Sequence, residues 1–265
     1  MSLVTLTIEK QVAYVCLNRP EKLNAINFEM FLAIDRVITQ LKRRRDVRAV
    51  IVHGAEHNFS AGLDIASVMR RPSQALRLLV KWRPGAANLA QRVSLGWQRL
   101  AMPVVAVIEG NCLGGGMQIA LGADFRIASP ECRLSIMEAK WGLVPDMAGL
   151  AMLRTLVPKD KALELTMTAN IITATEAHHL GLVSRVSPEP MDCAITLIEQ
   201  LTEHSPDALA AIKFSTHRSW SASLSRLLGR ETWYQLKLLL GRNQKIATQR
   251  QTKQPQLPYK PRQKW

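Results

Sequence analysis

Apolar and polar residues alternate with period two over Leu3–Lys10 and again over Val12–Asn18. That is the pattern of strands with one wet face. The alternation stops at the turn-like stretch Arg19-Pro20-Glu21-Lys22-Leu23-Asn24. From about Asn27 to Arg44, Phe28, Phe31, Leu32, Ile34, Val37, Ile38 and Leu41 recur near helical spacing, which predicts an amphipathic helix. Short apolar runs at Ala49-Val50-Ile51-Val52-His53 and over 103–108 predict further strands. The stretch 65–101 predicts helix, broken at Pro72 and at Pro84-Gly85. Phe125-Arg126-Ile127-Ala128 and Cys132-Arg133-Leu134-Ser135 predict two more strands. From about Met147 onward the pattern is mostly helical, with one strand near Val183–Val186. Ser205-Pro206-Asp207 predicts a helix start, with a cap, a proline in the first position and an early acid. Residues 251–265 carry three prolines among polar residues and predict an extended tail. The strand-to-helix step recurs three times without a visible sequence repeat or linker. The order reads as α/β with a helical C-terminal part.

With 265 residues, 47% of them apolar, the chain has material for a substantial core. Aromatic residues are few, which argues against a base-stacking surface. No run approaches the roughly 20 apolar residues of a membrane span. The N-terminal ten residues alternate like a strand and carry no export signal, so a cytoplasmic protein is the simplest expectation. Cys16, Cys112, Cys132 and Cys193 are scattered, and the histidines do not group with them, so neither disulfide nor metal is expected. The net charge of +14 is partly concentrated in Lys42-Arg43-Arg44-Arg45 and in the acid-free stretch Gly241–Trp265. Solvated helix ends, attraction of a nucleotide phosphate and attraction of a nucleic acid all fit this charge.

Gly114-Gly115-Gly116 lie between the apolar run 103–108 and the helix-like Met117-Gln118-Ile119-Ala120-Leu121. A ligand can approach bare backbone at glycine. The first N–H groups of a helix starting there have no partners within it, and they face an anionic oxygen favourably. A flexible loop without ligand is the alternative for such a run.

Four motifs extend the picture. They are Leu17-Asn18-Arg19-Pro20-Glu21-Lys22-Leu23-Asn24-Ala25-Ile26, Phe59-Ser60-Ala61-Gly62-Leu63-Asp64, Gly110-Asn111-Cys112-Leu113-Gly114-Gly115-Gly116 and Ala123-Asp124-Phe125-Arg126-Ile127-Ala128. In this order and spacing, up to about residue 190, the chain resembles the crotonase superfamily, that is, the enoyl-CoA hydratase/isomerase family. The resemblance implies an α/β, crotonase-like spiral of ββα units with a helical C-terminal trimerisation region. The trimers are often paired into hexamers. It implies a spiral core over 1–195 holding an acyl-CoA site, then a helical region and basic tail over 196–265. Coenzyme A would enter as part of the substrate, with no separate cofactor. The oxyanion hole would be the backbone N–H groups of Leu63 and Gly115. Donors aimed at developing negative charge are worth roughly 3–4 kcal/mol each.

Proton transfer needs an acid in reach. In the hydratases of this family the first of two glutamates falls two residues past the last glycine, where this chain has Gln118. An amide cannot move a proton at neutral pH, although it can orient water or substrate. The second glutamate corresponds to Glu138. Asp146, eight residues on, matches an aspartate of the dienoyl-CoA isomerases, which also carry an aspartate at the position of Gln118. The chain therefore fits neither subgroup fully. Isomerisation by Glu138 and Asp146 is the expectation, with their carboxyls raised inside an apolar pocket formed partly by Ile136, Met137, Trp141 and Leu143. A surface role for Glu138 and a helix cap for Asp146 are the bland alternatives. Lys22, Ala61, Asp64 and Gln118 are expected substrate or CoA contacts, with Lys22 or Arg19 near phosphate. The segment 66–100, with Trp82, Arg83 and Trp97, would form a wall or lid of the acyl pocket, or else core helices. An enoyl-CoA hydratase is the near alternative. An RNA-binding protein or a non-catalytic CoA-binding subunit are the distant ones.

Overall fold

The computed structural model describes residues 2–265. The chain opens with strands β1 (Val4–Glu9) and β2 (Val12–Leu17), helix α1 (Phe28–Arg43) and strand β3 (Ala49–Gly54). Three helices follow, α2 (Ile65–Met69), α3 (Pro72–Leu79) and α4 (Leu89–Gln98), and then strands β4 (Val104–Ile108) and β5 (Asn111–Leu113). Helix α5 (Gly115–Leu121) starts on the glycines and leads to β6 (Phe125–Ala128) and β7 (Arg133–Ser135). Helices α6 (Gly149–Leu156) and α7 (Lys159–Thr168), strand β8 (Ile172–Thr173), helix α8 (Ala174–His179) and strand β9 (Arg185–Val186) come next. The chain finishes with α9 (Pro190–Thr202), α10 (Pro206–Ser219), α11 (Leu224–Leu239) and α12 (Arg242–Thr252).

One sheet has the order β1-β2-β3-β4-β6-β9, and a smaller one the order β5-β7-β8. In the larger sheet, β2, β3, β4, β6 and β9 run parallel, and only the β1–β2 hairpin is antiparallel. The inner strand β4, Val-Val-Ala-Val-Ile, is buried throughout, as a parallel strand covered on both faces must be. Its alternate residues serve two cores. Val104, Ala106 and Ile108 pack with α1 and α4, through Phe31, Ile34, Leu41, Val93 and Trp97. Val105 and Val107 pack with Ala194, Leu197 and Ile198 of α9. Helix α1 starts where Asn27 accepts a hydrogen bond from Met30 N, a cap worth ~1 kcal/mol.

Two short strands escape the sequence pattern. Residues of β5 lie beyond the strand expected over 103–108, and those of β8 where helix is expected, because two or three residues carry no period. Their pairing with β7 creates them. The segment 65–101 is helical with breaks near Pro72 and Pro84, as expected, but its two tryptophans part company. Trp97 is in the core, whereas Trp82 is 78% exposed.

The tail is extended but not free. Arg262 is buried at 3% exposure. Its guanidinium donates to Val47 O and Arg44 O, while Arg45 donates to Arg262 O in return. Trp265 packs beside Tyr234 and Phe214. Arg250 donates to Leu257 O and lies over the Tyr259 ring. Arg45, Arg250 and Arg262 are thus engaged by backbone carbonyls and a ring, and Arg44 by the Asp46 carboxylate. No helix of the described residues is long and apolar enough to cross a membrane.

Candidate active site

Three loops meet at one end of the sheets, and the hydrogen bonds that join them come from residues far apart in sequence. Asn24 is fully buried and holds the turn after β2. Its Oδ1 accepts from Arg19 N, and its amide donates to Ala55 O and Asn58 O. Ser60, also fully buried, donates to Asn24 O and accepts from Gly62 N. Ser60 N donates to Asn111 O, and Leu113 N donates to Ser60 O. These bonds sew the loop 59–64 to the strand that leads into the glycines. Gly62 adopts φ +96°, and a Cβ there would sit 2.9 Å from Leu113 O. Only glycine suits both the backbone conformation and the close approach.

The same imagined Cβ would lie 3.7 Å from Gly115 N, so the two loops touch where Leu63 and Gly115 follow. Both residues line one open cavity. Gly114 N donates to Ser135 O and Gly62 N to Ser60 Oγ. Among the described residues, the N–H groups of Leu63 and Gly115 have no acceptor within the chain. Ala61, Met137, Glu138, Trp141, Leu143, Asp146 and Met147 line the rest. Ile136, expected in this wall, is instead buried in the core.

Glu138 begins a single 3-10 turn, Glu138–Trp141, after β7. Its Oε1 accepts a 2.5 Å hydrogen bond from Gln118 Nε2. Its Oε2 is buried without a partner. Burial pushes the carboxyl above the ordinary glutamate range, and the charge of Asp146 adds to this. The Glu138 backbone N–H and the Gln118 amide only partly offset the rise. Asp146 lines the same cavity and is exposed to water. The protein around it raises its carboxyl as well. Asp146 is not a helix cap: α6 begins at Gly149 after Ala148, whose φ is +68°.

The other expected contacts divide. Ala61 lines the cavity. Gln118 is fully buried, its carbonyl accepts from Gly149 N, and its NH₂ goes to Glu138, so it backs the site rather than touching a substrate. Asp64 is likewise spent on the protein. It takes Arg19 at 2.8 Å and caps α2 through Ser67 N. Burial works to raise the Asp64 carboxyl, but Arg19, Ser67 N–H and the nearby Lys22 hold it below the ordinary range. Arg19 is therefore engaged, and Lys22 is the exposed cation of that turn. Sequence reasoning does not single out Asn24, Ser60 or Gly149 as site residues. Asn24 and Ser60 do stand inside two of the four motifs. Gly149 gives no signal except a small residue shortly after Asp146. Among the described residues no group of His, Cys, Asp and Glu is arranged to hold a metal ion.

The sequence profile described as enoyl-CoA hydratase/isomerase matches residues 7–240. The chain belongs to the enoyl-CoA hydratase/isomerase family, and its fold is that of the crotonase enzymes. It is 33% identical over 232 residues to a short-chain-enoyl-CoA hydratase of Clostridium acetobutylicum, covering 86% of each chain. It is 29% identical over 241 residues to a peroxisomal Delta(3,5)-Delta(2,4)-dienoyl-CoA isomerase of Arabidopsis thaliana, covering 85% of this chain and 84% of that one. A chain from Thermobifida fusca YX, solved in complex with acetoacetyl-CoA, superposes with a TM-score of 0.77 at 29% identity, covering 90% of this chain and 95% of that one. The relatives thus carry both hydratase and isomerase names.

Proposed function

We propose that this enzyme moves a carbon–carbon double bond along an enoyl-CoA thioester. The reading rests on one juxtaposition. Two unpartnered N–H groups, from Leu63 and Gly115, share a cavity with two carboxyls of raised proton affinity, Glu138 and Asp146. The thioester oxygen accepts both N–H bonds. One carboxylate removes a proton from the acyl chain, and the electron pair of the broken C–H bond delocalises onto that oxygen. A carboxyl then returns a proton at a different carbon as the double bond re-forms, so no atom is gained or lost. A carboxyl of raised proton affinity suits both halves of this exchange. Lys22 and Ala61 would contact the CoA moiety and the acyl group.

Hydration is the second reading, favoured by the name of the Clostridium relative. Against it, Gln118 is buried and cannot serve as a base for water. A homo-oligomer fits the large apolar side chains exposed on the last helices, including Trp220, Leu224, Trp233 and Leu240. The deciding experiment offers 2-enoyl-, 3-enoyl- and 3,5-dienoyl-CoA to the parent, Glu138→Gln and Asp146→Asn. Isomerisation is expected to exceed hydration in the parent and to fall in both variants. A parent that only hydrates 2-enoyl-CoA would overturn the preference. Binding of acyl-CoA that vanishes at moderate salt would point to nonspecific charge instead.

A further inference from the structure

Gln118 stands where an acid is expected, yet its surroundings are built around an amide. The peptide N–H of Gly149 can only donate, so the atom 2.9 Å from it must be the Gln118 carbonyl oxygen. The NH₂ is thereby turned toward Glu138 Oε1. Gly149 has no side chain for a physical reason: a Cβ there would fall 2.7 Å from Gln118 Oε1. Gly149 is also the first residue of α6, and the preceding Ala148 offers no side-chain cap. The amide of one helix thus caps another, and the same amide holds the carboxyl of Glu138. Asp146 is three residues before the capped N–H, on the loop that this bond anchors.

Taking Glu138 and Asp146 as the acid–base pair proposed above, we propose that Gln118 is the positioning residue that sets the geometry of both. Its NH₂ occupies Oε1 of Glu138, so the proton is carried on Oε2, the buried oxygen without a partner. Its carbonyl, through Gly149 N, pins the loop bearing Asp146. A glutamate at 118 could keep the second bond but not the first, because two carboxylate oxygens at that separation must share a proton.

The other charges near Glu138 are few. Its own turn has Lys140, exposed, and β7 has Arg133, exposed. The loop supplies Asp146. The packed helix α7 carries Lys159, Asp160, Lys161 and Glu164, of which Lys161 and Glu164 pair at the surface. Helix α5 contributes no titratable group.

The test compares the parent with Gln118→Glu and the volume-matched Gln118→Met. Three measurements are made on each: the pH profile of kcat/KM, the ¹³C titration of the Glu138 carboxyl, and amide exchange at Gly149. In Gln118→Glu the acidic limb and the Glu138 titration should both move up by about one pH unit or more, with Gly149 exchange unchanged. In Gln118→Met kcat should fall about tenfold or more with KM within about threefold, and Gly149 should exchange about tenfold faster or more. A residue that only fills space would leave kcat, the carboxyl titration and Gly149 exchange of Gln118→Met as they are in the parent, and that result overturns the proposal. If the parent turns over no enoyl-CoA, the acid–base reading fails. The titration and the exchange still decide what Gln118 does. Should Gln118→Met not fold, the shorter amide Gln118→Asn takes its place, with the same changes in kcat and in Gly149 exchange expected.

Discussion

Asp124 and Glu138 are both carboxylates drawn out of water, and the protein treats their charges in opposite ways. Asp124 has a full set of partners. Lys213 Nζ lies 2.6 Å from one oxygen, which also accepts from Val104 N, and His217 Nε2 lies 2.7 Å from the other. Lys213 is satisfied in turn, donating to Trp97 O and Met102 O. Burial works to raise the Asp124 carboxyl, but Lys213 and His217 outweigh it and hold the group below the ordinary range. Glu138 receives one neutral amide on one oxygen and nothing on the other. Desolvation wins there, and the carboxyl rises. Equal chemistry with unequal partners separates a charge that ties α10 to the sheet from one kept ready to change its protonation.

The contrast can be broken from either side. On the chemical side, Glu138→Gln should lower kcat about 10²- to 10⁴-fold, the size of a lost general acid or base, while the fold is retained. Steady-state kinetics with circular dichroism check this, and a rate within twofold of the parent would remove Glu138 from proton transfer. On the structural side, Asp124→Asn should cost roughly 3–5 kcal/mol, because Lys213 is left buried without its counter-charge. Calorimetry should show a large fall in Tm. A loss below ~1 kcal/mol would mean that the cluster is not the anchor described. Gly62→Ala tests the junction between the loops. Strain at φ +96° and the contact with Leu113 O should cost about 1–3 kcal/mol. They should also shift Leu63, so kcat falls even at temperatures where the variant is fully folded.

The smallest effect is the most diagnostic. The folded-state Asp124 carboxyl lies below its unfolded value, so its stabilisation is complete above the unfolded range of about 3.9 and is lost as pH falls through the depressed value. The folded-state Glu138 carboxyl lies above its unfolded value. The advantage it gives the fold is present below about 4.3 and disappears as pH rises through the raised value. At pH 7, Glu138→Gln should therefore equal or slightly exceed the parent in stability, by less than ~1 kcal/mol, and lose that advantage near pH 4. The Asp124→Asn deficit should instead be greatest at neutral pH and shrink in acid. Thermal melts across this range would separate the two, and parallel curves would refute the contrast.

Much of the architecture is legible along the chain because periodicity reports burial directly. The β1–β2 alternation, the stripe on α1, the apolar run of β4 and the Ser205 cap each depend on neighbours within a few residues. Strands β5 and β8 are not legible, since a two- or three-residue strand exists only through its partner. The tail misleads for a related reason: its basic and proline-rich composition suits open solvent, yet Arg262 finds backbone carbonyls some two hundred residues away. Within the site, Leu63 and Gly115 stand in the motifs, Glu138 and Asp146 match family positions beyond them, and all four line one cavity. Asp64 ends one motif and Gln118 follows another, but a residue type does not reveal which way its side chain turns, and both turn into the protein.

Local sequence alone determined the longer elements and the kinds of group available for chemistry, because propensity, capping and hydrophobic period act over one or two turns of chain. Tertiary structure decided which N–H groups are left without acceptors, which carboxyl is neutralised and which is left short of partners. Those outcomes depend on burial and on atoms brought within hydrogen-bond distance from remote segments, as Gln118 is brought between Glu138 and Gly149.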